Sequence, residues 1–229
     1  MTEKVIIGNA ELWHGDCREV LPLLAVHDLL LTDPPYGLEH VLKGGTWGKQ
    51  YEAEEYSWDK EPPNIDAALA KAKTQIVWGG NYFGLPPTRC FLVFDKTIRG
   101  MTFADCEMAW SNLDANARVF SYQVPRGFLA GERFHPTQKP VPVMAWCIQF
   151  APDAQTVLDP FMGSGTTGVA CVQLGRTFTG IERERKYFDI ACERIARAQA
   201  QGRMFPDEKL GAGNTAIQAE LLPVDAKHP

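Results

Sequence analysis

The chain has 229 residues, 45% of them hydrophobic and 22% charged, with a net charge of −5, which describes one good-sized core and forces no second domain. No apolar run reaches the roughly 18 residues a bilayer span needs, and the start, MTEKVIIGNAELWHGD, lacks the pattern of a signal peptide, so the expectation is a cytoplasmic protein without a membrane partner. Six cysteines and five histidines are scattered without metal-ligand spacing, which points to reduced core cysteines and no metal.

In chain order, β-rich apolar runs predict strands over Lys4 to Ile7 and Glu11 to His14, and Gly15-Asp16-Cys17 then leads into a helical pattern over Arg18 to Leu24. A third strand, Leu29 to Thr32, runs straight into Asp33-Pro34-Pro35-Tyr36. Two prolines cannot donate ladder hydrogen bonds, so the strand stops there and the chain leaves the sheet in a rigid, extended shape. An acid and a ring held rigidly at the C-terminal end of a strand look like a site; a proline turn with a solvated acid explains Asp-Pro-Pro equally well when it is taken alone. The stretch 37–63, rich in Gly, Glu, Lys and aromatics, is far longer than an ordinary loop and sits where a lid would be useful.

A helix over Asn64 to Ala72 and a strand over Gln75 to Trp78 follow, the latter ending in Gly79-Gly80-Asn81-Tyr82-Phe83, whose aromatics serve equally as core or as the wall of a pocket. Asp105, Glu107 and Trp110 stand in the same balance. Further strands are predicted over Phe91 to Phe94, Glu107 to Ser111, Ala117 to Tyr122, Thr156 to Leu158 and Phe178 to Ile181, and helices over Pro140 to Phe150, Thr166 to Leu174 and Arg185 to Ala200. In the last helix Tyr187, Ile190, Ala191, Ile195 and Ala198 form one apolar stripe that should cover the sheet. The alternation implies an α/β fold with a mostly parallel sheet, organised as a single domain over 1–201 with a tail at 202–229 that lacks any period.

Thr156 to Gly168, TVLDPFMGSGTTG, reads as strand, Gly-rich turn and helix, with Gly163, Gly165 and Gly168 in the spacing G-x-G-x-x-G and Glu182 placed 19 positions after Gly163 at the end of the next strand. That suits an adenosine-containing cofactor whose ribose hydroxyls bond to Glu182. A nicotinamide dinucleotide would put its pyrophosphate on the helix N-terminus, but Asp159 and Pro160 stand between the strand and the first glycine, and a carboxylate is unwelcome beside a pyrophosphate. S-adenosyl-L-methionine carries an ammonium and a sulfonium, so Asp159 at its amino-acid end and Glu182 at its ribose match it better. Upstream, Phe134-His135-Pro136-Thr137-Gln138-Lys139-Pro140 reads either as a helix start, with Thr137 as cap and Pro140 in the first turn, or as a site in which Thr137 and Lys139 hold the cofactor's carboxylate end. The acidic net charge argues against a nucleic-acid partner, yet Lys43, Lys49, Arg118, Arg126 and Arg133 could supply a local basic face, the two last reaching phosphates or guanine, although surface solvation explains each one singly.

DPPY at Asp33 to Tyr36, HPTQKP at His135 to Pro140 and LDPFMGSGTTG at Leu158 to Gly168, in that order, resemble the amino-methyltransferases of DNA in their circularly permuted β group. The resemblance covers most of residues 8 to 200. It implies a Rossmann-like, seven-stranded mixed sheet with helices on both faces, with the Asp33 strand beside the Leu158 strand. It implies S-adenosylmethionine as cofactor, held by Asp16 and Cys17 at its adenine and by Asp33, His135, Thr137, Lys139, Asp159, Phe161, Gly163, Ser164, Gly165, Thr166 and Glu182. It implies transfer of a methyl group to an exocyclic amine of double-stranded DNA after base flipping, with Asp33, Pro34, Pro35 and Tyr36 as catalytic residues. An Asp in the first motif position goes more often with N6 of adenine than with N4 of cytosine, so N6 of adenine is the expectation, with N4 of cytosine and methylation of RNA as the alternatives. A module that binds cofactor or DNA without catalysis is the reading from a different class. The chain departs from the family where the target-recognition segment usually lies, since only about 112–133 is available. So short a segment would gain contacts from a second subunit, which raises a homodimer.

Overall fold

A computed structural model describes residues 2–38, 61–100, 104–123 and 138–202. The expectations placed on Lys43, Lys49, Arg126, Arg133, His135 and Thr137, on most of the 37–63 loop, and on the tail after residue 202 lie outside the described residues.

All nine strands read from the sequence are present: β1 (Glu3–Ile7), β2 (Ala10–His14), β3 (His27–Thr32), β4 (Ala72–Trp78), β5 (Phe91–Asp95), β6 (Cys106–Ser111), β7 (Arg118–Ser121), β8 (Thr156–Asp159) and β9 (Thr177–Glu182). They join in one sheet in the order β1-β2-β9-β8-β3-β4-β6-β5-β7. The seven strands implied by the resemblance are therefore corrected to nine among the described residues, while the mixed α/β class stands. Five central strands, β2, β9, β8, β3 and β4, run parallel; β1 pairs antiparallel to β2, and β6 antiparallel to both β4 and β5. The strand β7, parallel to β5, closes the far edge and uses up part of the expected recognition segment.

The helices are α1 (Cys17–Val20), which continues into a 3-10 turn at Leu21–Leu23, then α2 (Asp66–Leu69), α3 (Val141–Ile148), α4 (Thr166–Gln173) and α5 (Arg185–Gln201). The strands alternate faces as their pleat requires. Leu29 and Leu31 of β3 pack with Val143, Met144, Ala170 and Ile195 in one core, whereas Leu30 packs with Val20, Leu21, Ile65, Ala68 and Leu158 in the other. Helices α3 to α5 thus cover one face and the short α1 and α2 the other, as expected from the continuous apolar runs of buried parallel strands. In α5 the buried stripe is Tyr187, Phe188, Ala191, Ile195 and Ala198, with Phe188 taking the place expected of Ile190.

Two differences have clear causes. The helix expected over Asn64 to Ala72 stops at Leu69, because Ala72 and Thr74 already pair with His27 and Leu29 of β3. The cysteines expected in the core divide: Cys90, Cys147 and Cys171 are buried, but Cys106 at the start of β6 is exposed and Cys17 is half-buried. None of the described helices is long and apolar enough to cross a membrane.

Chain connections leave β3 toward β4 and leave β8 toward β9, in opposite directions across the sheet. Where connections diverge, nothing crosses the carboxyl ends of the two strands, and a crevice opens there.

Candidate active site at the β3 and β8 carboxyl ends

A cleft of about 640 Å³ occupies that crevice, a size suited to a cofactor. Its walls come from the ends of β2, β3, β8 and β9, and they include all the described residues expected to be catalytic or to hold the cofactor except Gly165; Arg118, expected at a nucleic acid, is not among them. Gly165 instead turns the chain at φ +79° and lies so close to Ala191 of α5 that a side chain there would collide. Arg118 is exposed on β7, at the sheet edge.

On the β8 side, Asp159 is 2% exposed and accepts three local hydrogen bonds: Thr32 Oγ1 donates to Oδ1 at 2.7 Å, the Phe161 amide to Oδ1 at 3.1 Å and Thr167 Oγ1 to Oδ2 at 2.6 Å. The Thr32 bond ties β3 to β8 beneath the cleft floor. Burial pushes the Asp159 carboxyl up to about 6 against those donors. The Gly-rich turn is held from three directions. The Gly163 amide donates to Glu182 Oε2 at 3.0 Å, Ser164 Oγ bonds Gln138 Oε1 at 3.1 Å, and Arg194 of α5 reaches the Ser164 carbonyl at 2.6 Å and Thr166 Oγ1 at 3.2 Å. Gln138 is the first described residue of the HPTQKP stretch, and its bond ties that residue to the turn; Arg194 had no signal beyond its place on a polar helix face.

On the β9 side, Glu182 accepts from the amides of Gly163 and Glu184, the latter at 2.7 Å, and burial raises its carboxyl to about 7. The Gly15 amide donates to the Glu182 carbonyl at 2.9 Å, which brings Asp16 alongside. Asp16 caps α1 through the Arg18 amide at 2.9 Å, and the exposed Arg18 guanidinium holds its carboxyl below the ordinary range. Cys17 beside it lines the cleft with its thiol pushed up to about 11 by burial. Among the described residues, Asp159 and Glu182 receive their hydrogen bonds from hydroxyls and backbone amides and form no ion pair. Such carboxylates favour a ligand that brings its own positive charge and hydroxyl groups.

On the β3 side the DPPY segment forms the floor. Asp33 Oδ2 accepts from Lys139 Nζ at 2.6 Å, and Oδ1 accepts from the Tyr36 hydroxyl. Burial raises the Asp33 carboxyl, partly offset by the Lys139 ammonium, and burial likewise raises the Tyr36 phenol well above its ordinary value. The Tyr36 ring stacks on Tyr82 at 5.0 Å between centroids and meets Phe83 edge-on. Gly79, at φ +64°, gives the ring its room: a Cβ there would fall inside the Tyr36 ring's envelope. The WGGNYF stretch therefore wraps Tyr36, while Trp110, the other aromatic in balance, is core, bonded through Nε1 to the Pro86 carbonyl at 2.7 Å. Gly37 packs on Pro62 near this mouth of the cleft.

Known proteins resemble this chain in sequence and in fold. A family model described as DNA methylase, of the N6/N4 type, matches residues 95–193. The Type II methyltransferase M2.LlaDCHI of Lactococcus lactis subsp. cremoris is 44% identical over 247 aligned positions, covering 85% of this chain and 92% of its own length. Among solved structures, the M1.HpyAVI–SAM complex superposes with a TM-score of 0.52 at 24% identity, over 81% of this chain and 98% of that one. The PvuII DNA methyltransferase, cytosine-N4-specific, superposes with a TM-score of 0.54 at 16% identity, over 89% and 90%. These two likenesses are of fold. With the likeness to the Lactococcus enzyme running through nearly the whole of both sequences, the chain belongs to the N6/N4 family of DNA methyltransferases.

Proposed function

We propose that this protein transfers a methyl group from S-adenosylmethionine to N6 of adenine within a specific sequence of double-stranded DNA. The observation that carries the reading is one cleft in which the Asp33 carboxylate of the DPPY segment faces two further carboxylates, Asp159 and Glu182, that have no cationic partner among the described residues. The donor set fits the cofactor: Asp159 would hold its ammonium end, Glu182 its ribose hydroxyls, and Asp16 with Cys17 its adenine. Bound there, the cofactor supplies an electrophilic methyl group on a sulfonium.

The chain's own residues deal with the nucleophile. An exocyclic amine is a weak nucleophile because its lone pair is delocalised into the ring. The Asp33 carboxylate and the Pro34 carbonyl accept its two hydrogens, which draws the nitrogen toward tetrahedral geometry and leaves the lone pair pointing away from both acceptors. The prolines keep those acceptors from moving. A base inside a duplex cannot reach the floor of a cleft, so the nucleotide is flipped out and Tyr36 gives its ring to the base face. Adenine is favoured over cytosine because the first position of the motif is Asp33.

Sequencing with modification detection of plasmid from cells expressing the wild type or Asp33→Ala tests the whole reading. N6-methyladenine at one sequence motif, present only with the wild type, is the expected result. N4-methylcytosine would overturn the base assignment, and unmodified DNA from folded, cofactor-binding protein would overturn DNA as the substrate.

A further inference from the structure

The Asp33 carboxylate is the end of a row of alternating charges. Lys139 Nζ lies 2.6 Å from Asp33 Oδ2 and 2.7 Å from Glu107 Oε2, and Glu107 Oε1 lies 2.7 Å from Lys96 Nζ. Four elements meet to make it: the end of β3, the residue after β5, the body of β6, and the residues leading into α3. Lys139 is 5% exposed, and its ammonium also stands 5.2 Å from the centre of the Trp78 ring and 5.9 Å from that of Tyr36. Two anions and two cations in alternation sum to no net charge, which is the condition under which ionised side chains tolerate burial. A Lys139 that reached for the carboxylate end of a cofactor would have to leave the Asp33 carboxylate without its cation and Glu107 with Lys96 alone.

We infer that Glu107 and Lys139 are positioning residues for the catalytic acid: Lys139, anchored by Glu107 and Lys96, holds Asp33 as an oriented anion and serves that carboxylate rather than the cofactor. This rests on the proposed reaction. The orientation is specific, because Lys139 takes Oδ2 and the Tyr36 hydroxyl takes Oδ1, so the plane of the acceptor is set before a base arrives. The charge on Glu107 has a second effect. It repels the charge on Asp33 while sharing its cation, which keeps Asp33 a stronger acceptor than a private Lys–Asp pair would leave it. The other titratable groups around the row are Tyr36 beside Asp33, Tyr82 stacked on Tyr36, Asp159 across on β8, and Cys147 of α3 behind Lys139.

The test follows the Asp33 carboxyl by 13C NMR through a pH titration of the full chain with S-adenosylhomocysteine bound, beside the acid limb of methyl transfer to DNA and the affinity for that ligand. Glu107→Gln removes the nearby anion and leaves Lys139 to Asp33, so titration and acid limb move down by about one to three pH units. Lys139→Gln leaves two carboxylates facing each other, so both move up by a similar amount and transfer at neutral pH falls at least about tenfold. Affinity for S-adenosylhomocysteine stays within about twofold of the parent's. Weakened affinity in Lys139→Gln with an unmoved Asp33 titration would hand Lys139 back to the cofactor, and shifts of the same sign in both variants would remove the ladder. Should Lys139→Gln fail to fold, Glu107→Gln retains the Lys139–Asp33 pair, and the direction of its shift decides. A wild type that methylates no DNA would overturn the proposed reaction instead, while the NMR titration still judges the row of charges.

Discussion

If Glu182 accepts the ribose hydroxyls as proposed, cofactor binding is a proton-linked event, and the size of the linkage follows from the surroundings of Glu182. Its carboxylate is enclosed at the end of β9, accepts two backbone amides, and is pushed up to about 7 by burial. Near neutrality the unliganded protein therefore carries a proton on Glu182 about half the time. Ribose hydroxyls donate to the ionised form and favour it, so binding expels that proton. The sign is fixed by the direction of the shift: the unliganded state binds more protons, so affinity rises with pH until the pH passes the raised value, then levels. If binding returns Glu182 to its ordinary 4.5, the affinity for S-adenosylhomocysteine is about eightfold tighter at about pH 7.5 than at about pH 6. Asp159, pushed up to about 6, contributes a further factor of about two over the same window if the ligand's ammonium holds it ionised. Isothermal titration calorimetry in two buffers of different ionisation enthalpy reads both the affinity and the number of protons released. In Glu182→Gln the dependence should shrink to the part owed to Asp159. A wild-type affinity that is flat across the window, or an unchanged pH dependence in Glu182→Gln, would refute the assignment of Glu182 to the ribose.

Three further outcomes are expected. Thr167→Val removes the hydroxyl that donates at 2.6 Å to Asp159 Oδ2 and leaves a buried carboxylate oxygen without a donor, costing about 1–3 kcal/mol, read as a lower Tm and as weaker cofactor binding at neutral pH. Gly79→Ala puts a side chain into the Tyr36 ring at a φ of +64°, so methyl transfer should fall by more than tenfold while cofactor affinity, measured by calorimetry, holds; an unchanged rate would show that the Tyr36 position is immaterial. Asp28, at the amino end of β3, accepts from the Thr156 hydroxyl and amide and the Gln155 amide, and these bonds hold its carboxyl at about 2. A depressed value means stability that is present above about pH 4 and lost as pH falls through about 2, so chemical denaturation of Asp28→Asn should show a flatter loss across that window than the wild type.

The sequence by itself determined the elements and the chemistry of three motifs, because both are written locally. An apolar run that ends in Asp-Pro-Pro can only be a strand that stops, and all nine strands appear where their runs predicted them. Glycines in G-x-G-x-x-G spacing between a strand and a helix, with an acid after the next strand, needed no tertiary information to suggest a cofactor turn. Where local signals were outbid, the reason was pairing between distant segments: Ala72 suits a helix, but β3 offers it a ladder partner in His27, and α2 ends at Leu69. The sheet's size was of the same kind, since β1 and β7 join it by edge pairing that no motif announces.

Only the tertiary structure decided who serves whom in the site. Lys139 was legible as a site residue from HPTQKP, but its partner is Asp33, 106 positions away, with Glu107 on a third element. Glu107 stood in the sequence as an acid near a late strand, indistinguishable from Asp105 beside it. Its role comes from the register of β6 against β5, which sets Glu107 opposite Phe94 and within reach of Lys96. Hydrogen bonds and ion pairs between side chains depend on distances that the chain's own spacing does not encode. The residue types could be read from the sequence, but their pairing comes from the order of the strands in the sheet.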